Sequence, residues 1–229
     1  MKLFVNSLMP LKCPGCDTEG MTHGLCSACW ANLRIITCPM CKICGVPFQY
    51  DSNLLCAQCL KSTPAYDYCR AFAIYSDPIR SIITKLKQYS CPVRSEILAR
   101  WIYSVINWNE VDYITYIPSS KLRLLYRGYN PVANICYSLQ YIINKPIISI
   151  LGAYHTDLQQ GKTAQEREKN VRSKFFIKNI NIKNNATICL IDDVTTTGST
   201  LNYAAKIIKG KYQSKIICVT AAKTCNYIY

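Results

Sequence analysis

Hydrophobic positions in the C-terminal three quarters of the chain alternate between two patterns. Short apolar runs of the kind that form strands cover 70–75, 113–117, 146–150, 175–177, 187–191 and 215–221. Between most of these runs, apolar residues recur at helical spacing, over 79–86, 97–105, 131–143 and 201–208. Asp77-Pro78 supplies a helix cap followed by proline at the predicted first helical position. The alternation predicts an α/β fold with a parallel sheet flanked by helices, and ligands at the carboxyl ends of its strands.

The first sixty residues have a different pattern. They contain few long apolar runs, and nine of the chain's 15 cysteines lie between Cys13 and Cys59. Polar residues with a proline at 61–64 indicate a boundary, so we predict a small domain over 1–62 and a larger one over 63–229. A segment this short and this poor in apolar runs is expected to need metal in order to fold.

The cysteines occur mainly as C-x-x-C pairs, which place two thiolates on one tetrahedral Zn²⁺. Four pairs predict two structural zinc sites with four thiolates each, the ligands being Cys13, Cys16, Cys26 and Cys29 in one and Cys41, Cys44, Cys56 and Cys59 in the other. A crosswise pairing of the four turns is the alternative. Cys38 also forms a C-x-x-C with Cys41, so either it or Cys44 is spare, and Cys44-Gly45 makes the better turn. A redox dithiol is the weaker rival, because redox proteins rarely need four such pairs.

Composition adds charge and compartment to this picture. The 229 residues carry a net charge of +14, with 27 Lys and Arg against 13 Asp and Glu. Such an excess suits a polyanionic partner, and it equally suits a proteome rich in lysine, isoleucine and asparagine. No run approaches the ~20 apolar residues of a membrane span, and the N-terminal residues lack a convincing signal peptide. The cytoplasm is therefore the expected compartment, with a peripheral position at the inner membrane left open.

The most informative motif spans 186–200. An apolar run leads to two carboxylates, and a loop of hydroxyls with one glycine then opens a helix. Helix N-termini hold phosphates through unpaired N–H groups, while carboxylates can accept hydrogen bonds from sugar hydroxyls or help to place Mg²⁺. A sugar phosphate is the predicted ligand, and its candidate contacts are Asp192, Asp193, Thr195, Thr196, Thr197, Gly198, Ser199 and Thr200.

The segment 188–200 resembles the PRPP-binding motif of type I phosphoribosyltransferases, in which the acidic pair holds the ribose hydroxyls and the loop holds the 5′-phosphate. Three further segments sharpen the resemblance: 41–48 with 56–59, 127–130, and 160–171. Together the four are similar to the ComF family of phosphoribosyltransferase-like competence proteins, which begin with a double zinc ribbon. The resemblance spans nearly the whole chain.

This resemblance implies further site residues. The loop at 118–123 would bind the diphosphate of Mg²⁺-bound PRPP, through Ser119, Ser120 and Lys121. Arg127 would begin the next helix near the same site. The segment 160–170 would cover the bound ligand, with Arg167 closing over the diphosphate. Lys121 and Arg127 would be the residues that stabilise the leaving group if the protein is catalytic.

The resemblance also implies a role in the uptake of single-stranded DNA during natural transformation. Three departures from the family pattern favour a binding protein over an enzyme. Ser120 stands where a histidine is usual, Leu122 where a basic residue is usual, and Lys162-Thr163-Ala164 where Leu-Ser-Arg is usual. The alternatives are an active phosphoribosyltransferase with an unknown acceptor, favoured by the intact acidic motif, and a zinc-dependent assembly module with a vestigial transferase fold.

Overall fold

The structure is a computed structural model that describes residues 12–19, 24–50, 55–154 and 175–225. Its strands are β1 (Tyr68–Ile74), β2 (Tyr113–Tyr116), β3 (Leu151–Ala153), β4 (Phe175–Ile177), β5 (Thr187–Thr195) and β6 (Lys215–Lys223). Its helices are α1 (Ser27–Ala31), α2 (Ala57–Lys61), α3 (Ile79–Gln88), α4 (Pro92–Tyr103), α5 (Lys121–Arg127), α6 (Pro131–Gln140) and α7 (Ser199–Lys211). A short 3₁₀ turn covers Trp108–Glu110.

The central sheet has the strand order β1-β6-β5-β2, and all its pairs are parallel. Parallel neighbours require crossovers, which the intervening helices supply. The predicted α/β architecture, a parallel sheet flanked by helices and preceded by a small cysteine-rich domain, is confirmed. The run 146–150 forms no strand of its own but contributes one parallel bridge, Ile147 to Ile114, beyond the β2 edge. Strands β3 and β4 pair in a separate antiparallel sheet.

Hydrophobic packing covers both faces of the sheet, which is why its strands are apolar at nearly every position. One core joins the sheet to α3, α4 and α6 through residues such as Ile83, Leu98 and Ile135. The other joins it to α7 and to β3 and β4, through residues such as Leu201 and Phe175. Because the four strands are parallel, their carboxyl ends lie together at one end of the sheet, between the two cores.

Several elements differ in extent from the prediction. Strand β5 continues through the acidic pair to Thr195, because β6 remains in register beside it as far as Lys223. Pro78 is the residue that precedes α3 rather than its first helical residue, and Asp77 does not cap the helix. Helix α7 continues through Gly210 to Lys211. None of the helices in the described part of the chain is long and apolar enough to cross a bilayer.

Two cysteine-rich units precede the sheet, and the described residues of each include a C-x-x-C turn and a short helix. We call residues 13–29 the first ribbon and residues 41–59 the second. The first ribbon lies against α3 and α4, where the Ser81 hydroxyl and the Lys85 ammonium donate to the Gly15 carbonyl at 2.7 and 2.9 Å. The second ribbon lies on β1, whose Cys69 N–H donates to the Ile43 carbonyl at 2.6 Å.

Candidate phosphate site and metal centres

The structure groups eight cysteines into two clusters of four. One holds Cys13, Cys16, Cys26 and Cys29, the other Cys41, Cys44, Cys56 and Cys59, and within each the sulfurs lie within 4.8 Å of one another. The clusters follow the order of the sequence, so the crosswise pairing is excluded. Cys38 is exposed and lies outside both clusters.

The geometry of both clusters fits zinc. Four thiolates about 2.3 Å from one Zn²⁺ lie about 3.8 Å from one another. The Cys16–Cys26 and Cys44–Cys56 sulfurs are both 3.5 Å apart. Backbone N–H groups of Cys26 and Cys56 donate to the sulfurs of Cys13 and Cys41 at 3.3 and 3.4 Å. The clusters fit two structural zinc ions, and a complete set of four thiolates leaves no position for catalysis.

The acidic pair lies within β5 rather than after it. Asp193 is buried, and its two carboxylate oxygens accept from the Lys87 ammonium at 2.8 and 2.9 Å. Lys87 belongs to the last turn of α3. It was not predicted, because no local sequence pattern connects it to a residue so distant in the chain. Asp193 is therefore paired with Lys87, and its predicted contact with the ligand stays a prediction.

Asp192 has a different environment from its neighbour. Its side chain is half-buried, and one of its carboxylate oxygens accepts from the N–H of Asp193 at 2.9 Å. Burial, followed by the charge of Asp193, raises the pKa of Asp192 to about 8. A carboxyl group with such a raised pKa, near the carboxyl end of a strand in a parallel sheet, is characteristic of functional sites. Of the two acids, Asp192 is the one available to a ligand.

The hydroxyl loop after β5 leads directly into the N-terminus of α7. Gly198 caps the helix with φ of +77°, a conformation that favours glycine. Thr197 and Ser199 are exposed and their hydroxyls lie 2.7 Å apart. The Ser199 N–H donates to the Thr197 hydroxyl at 3.4 Å. With the helix dipole and the other N–H groups of the first turn behind them, these hydroxyls can hold a phosphate. In the same loop, Thr195 is buried, Thr196 is exposed and Thr200 is half-buried.

The segment that follows the second ribbon also reaches this loop. A Cβ placed on Gly198 would lie 3.3 Å from the Tyr66 hydroxyl oxygen, so the buried Tyr66 directs its hydroxyl toward the helix cap. Next to it, the Ala65 N–H donates to the Asn202 side-chain oxygen, in the first turn of α7, at 2.7 Å. Neither Tyr66 nor Asn202 belongs to a recognisable sequence motif, so neither was predicted.

The loop after β2 places Ser119, Ser120 and Lys121 at the same edge of the sheet. Ser120 caps α5 by accepting from the Arg123 N–H at 3.4 Å, so its hydroxyl has a structural role of its own. Lys121 is exposed in the first turn of α5. Arg127 is the last residue of α5, not the first of the next helix, because Gly128 ends the helix in the left-handed conformation.

The remainder of the 127–130 motif connects three elements. The Tyr129 hydroxyl donates to the Leu86 carbonyl at 2.7 Å, which ties the motif to the turn of α3 that carries Lys87. The Asn130 side chain accepts from the Val132 N–H and donates to the Ile117 carbonyl. The motif therefore fixes α3, the end of β2 and the start of α6 relative to one another. Arg167 and the whole segment 160–170 lie outside the described residues.

Comparison with known proteins agrees with these features. A family model described as a double zinc ribbon domain matches residues 4–72. Competence protein F of Haemophilus influenzae is 28% identical over 200 residues, which cover 82% of this chain and 85% of the relative. DNA utilization protein YhgH of Escherichia coli is 25% identical over 194 residues, which cover 81% and 84% respectively.

Among solved structures, adenine phosphoribosyltransferase from Leishmania tarentolae aligns with 66% of this chain and 76% of its own, at 10% identity and a TM-score of 0.35. A likeness of that size carries no argument about the ligand. The resemblance to the ComF family predicted from the sequence is confirmed by relatives that match over most of their length and by the double zinc ribbon match. The chain is similar to competence protein F over 82% of its length, and its two four-cysteine clusters lie within the segment that matches a double zinc ribbon.

Proposed function

We propose that the protein binds PRPP, or a related phosphoribosyl ligand with Mg²⁺, at the carboxyl edge of its sheet, and that it acts in the uptake of single-stranded DNA during natural transformation. The observation that carries the ligand proposal is the position of Asp192. Its half-buried carboxyl group lies near the carboxyl end of β5, which leads into a loop of exposed hydroxyls at the N-terminus of α7.

The chemistry of these groups matches the two ends of a ribose phosphate. The 5′-phosphate would accept hydrogen bonds from Thr197, Ser199 and the free N–H groups of α7. The carboxylate of Asp192 would accept hydrogen bonds from the ribose hydroxyls. Mg²⁺ would neutralise the diphosphate, and Lys121 at the start of α5 lies at the same edge of the sheet. Lys87 keeps Asp193 in place beside Asp192.

The DNA role rests on different support. Curated relatives are named for competence and for DNA utilization. A net charge of +14 suits binding to a phosphate backbone. Exposed aromatic side chains such as Trp30, Tyr126 and Tyr141 suit the stacking of unpaired bases.

Calorimetry with PRPP and Mg²⁺ tests the ligand site. Asp192→Asn is expected to abolish measurable binding, because the amide removes the charge that Mg²⁺ and the ribose hydroxyls need. Asp112→Asn is the matched control: Asp112 caps the opposite end of β5 by accepting from the Thr187 N–H at 2.9 Å. Equal affinity of the Asp192→Asn variant and the wild type would refute the site.

The pH dependence of PRPP affinity provides a second test. With a pKa of about 8, Asp192 is mostly protonated at pH 7 in the free protein. A ligand that requires the carboxylate must first remove this proton, so affinity should rise about tenfold between pH 7 and pH 9. The Asp192→Asn variant should show no such rise, and a flat wild-type profile would contradict the assigned role.

DNA binding is tested by its salt dependence. Affinity for a single-stranded oligonucleotide should fall steeply as salt rises, since binding releases counterions from the phosphates. An affinity that does not change between about 50 and about 200 mM salt would remove the electrostatic argument.

The second candidate function is catalysis, in which an acceptor displaces diphosphate from PRPP. It is favoured by the raised pKa of Asp192 at the same sheet edge as Lys121, because strongly shifted carboxyl groups are common in active sites. Incubation with PRPP, Mg²⁺ and a panel of bases or amines, followed by measurement of diphosphate release, separates the two functions. Release that depends on one acceptor would make the protein an enzyme, whereas tight binding without release would make it a binding protein.

A further inference from the structure

Helix α5 turns its apolar side toward solvent. At about 100° per residue, four apolar side chains share one side of this helix: Leu122, Leu124, Leu125 and Tyr126. All four are exposed, Leu125 by 79% and Tyr126 by 92%. On the opposite side, Arg127 is half-buried. A surface helix normally has the reverse arrangement, with its apolar side facing the core and its charges facing water.

The helix also lies outside both hydrophobic cores of the described chain. Neither the buried residues of the two cores nor the partly buried residues packed against them include a side chain of α5. The ends of the helix are nevertheless held. Ser120 caps its start, and beyond its end the Asn130 side chain donates to the Ile117 carbonyl at 3.2 Å. The outward apolar face is therefore a fixed feature of the fold, and its burial against a partner would be favourable.

Positive charge accompanies this apolar face. Lys121, Arg123 and Arg127 all belong to α5, and the ion pairs of the described residues do not include them. Residues 113–156 contain no Asp or Glu, so no acid close in sequence offsets these three charges. Leucine and tyrosine interleaved with cations are suited to the interface of an anionic membrane, where apolar side chains enter the acyl boundary and cations meet the headgroups.

Two other occupants fit this face less well. A second copy of the chain would bring two sets of the same three cations together, and their like charges would oppose the contact. A single-stranded nucleic acid would match the charge, and Tyr126 can stack on an unpaired base, but the three leucines beside it have no ring to offer. An anionic lipid surface matches both the charges and the leucines.

We propose that α5 is a docking surface for a membrane that contains anionic phospholipids, with Leu125 at the centre of the inserted face. Seven residues of helix are only about 10 Å long, so the contact is shallow and reversible. Since α5 follows β2 at the carboxyl ends of the strands, docking would bring that end of the sheet to the membrane surface. The proposal does not depend on PRPP binding.

Co-sedimentation of the full-length, zinc-loaded protein with vesicles tests the apolar part of this surface. The vesicles consist of phosphatidylcholine, with or without phosphatidylglycerol. Leu125→Gln should lower binding to the anionic vesicles about tenfold, because one leucine side chain no longer enters the lipid. Leu60→Gln is the matched control, since Leu60 is 70% exposed on the equally short helix α2, and it should have no effect.

The charged part of the surface is tested with the same vesicles. Arg123→Gln should lower binding to the anionic vesicles about fivefold, and the difference from the wild type should shrink as salt rises. Lys206→Gln removes one exposed charge from α7 and is the matched control, with no loss expected beyond that of the net charge. Thermal unfolding of all four variants should match that of the wild type, because the substituted side chains are exposed.

Losses confined to the Leu125 and Arg123 variants, on anionic vesicles only, are the supporting result. The proposal would be overturned if the wild type did not bind anionic vesicles, or if it bound neutral ones equally well. Equal losses in Leu125→Gln and Leu60→Gln would overturn it too, since any exposed leucine would then serve. Affinity for a single-stranded oligonucleotide is measured in parallel: if Leu125→Gln lowered that affinity and left vesicle binding intact, α5 would be a nucleic-acid surface instead.

Discussion

The two ribbons have the same local chemistry but are attached to the rest of the molecule in different ways. The first is held mainly by side chains, with Asp17 between Lys85 and Arg94. The second is held by backbone: Cys69 of β1 donates to the Ile43 carbonyl, and Gly45 lies directly on the Cys69 carbonyl. Two similar ribbons are thus attached differently: the first by side-chain ion pairs, the second by direct backbone contact with β1.

The difference extends to the candidate ligand site. From the second ribbon the chain passes through Tyr66, which faces the cap of α7, and through Ala65, which is bonded to Asn202. Among the described residues, the first ribbon is linked to the acidic pair through α3, where Lys85 holds the ribbon and Lys87 holds Asp193. We therefore expect that unfolding the second ribbon lowers the ligand affinity of the site more than unfolding the first ribbon does.

The largest expected effect comes from the loss of one metal site. Cys13 and Cys41 are both fully buried first cysteines of their clusters, so Cys13→Ser and Cys41→Ser form a matched pair. A structural zinc site contributes on the order of 10 kcal/mol to the folding of its own unit, so each substitution should unfold one ribbon. Cys41→Ser should weaken PRPP binding more than about tenfold, and Cys13→Ser by less than about threefold, as measured by calorimetry.

Hydrogen exchange provides the accompanying structural measurement for this pair. The amides of the first turn of α7 should lose protection in Cys41→Ser and keep it in Cys13→Ser. Equal losses of affinity and protection in the two variants would contradict the stronger coupling of the second ribbon to the ligand site.

A smaller effect is expected from the glycines of the two cysteine turns. Gly45 has φ of +68°, and an added Cβ would meet a backbone carbonyl at 2.5 Å. In Gly15 the added Cβ would meet the side chains of Cys29 and Pro78, both at 3.0 Å. Denaturant unfolding should show a loss of about 3 kcal/mol for Gly45→Ala and about 1 kcal/mol for Gly15→Ala. The reverse order would mean that the second ribbon can move away from β1.

The smallest effect is expected from the ion pairs of the first ribbon. The hydrogen bond and charge of Lys85, opposed by burial and supported by Arg94, lower the pKa of Asp17. A lowered pKa means that the stabilisation is present above the normal Asp pKa and is lost as pH falls through the shifted value. Asp17 is almost half exposed, so Asp17→Asn should cost no more than about 1 kcal/mol at pH 7 and low salt.

Asparagine tolerates the positive φ of residue 17, which keeps the substitution specific to the charge. The stability difference from the wild type should shrink in high salt and disappear in acid, as followed by thermal unfolding. A difference that persists in 1 M salt, about the level at which surface charges are screened, would show that the ribbon is held by something other than these pairs.

Much of the fold could be predicted from the sequence because its signals are local. Apolar periodicity identified most strands and helices of the sheet domain, and strand–helix alternation predicted parallel pairing. The extent of β5 could not be predicted in the same way. Carboxylates normally end a strand, but here β6 continues alongside and supplies hydrogen bonds as far as Thr195.

The candidate site shows the same limit. The motif from Asp192 to Thr200 is continuous in sequence, so its loop and helix could be recognised. Lys87 and Tyr66 reach that edge of the sheet from distant positions, and no nearby sequence motif marks them. The position of Arg127 also depended on where α5 ends, which Gly128 decides.

By itself, the sequence determined which residues have the chemistry for metal and phosphate: the C-x-x-C turns, the acidic pair and the hydroxyl loop. These groups act within a few residues of one another, so their spacing specifies their geometry. Only the tertiary structure decided that the cysteines group in sequential order, that Cys38 is left out, and that Asp193 pairs with Lys87. Those outcomes depend on the path of the chain through space, because contacts between distant residues form only when the whole fold brings them together.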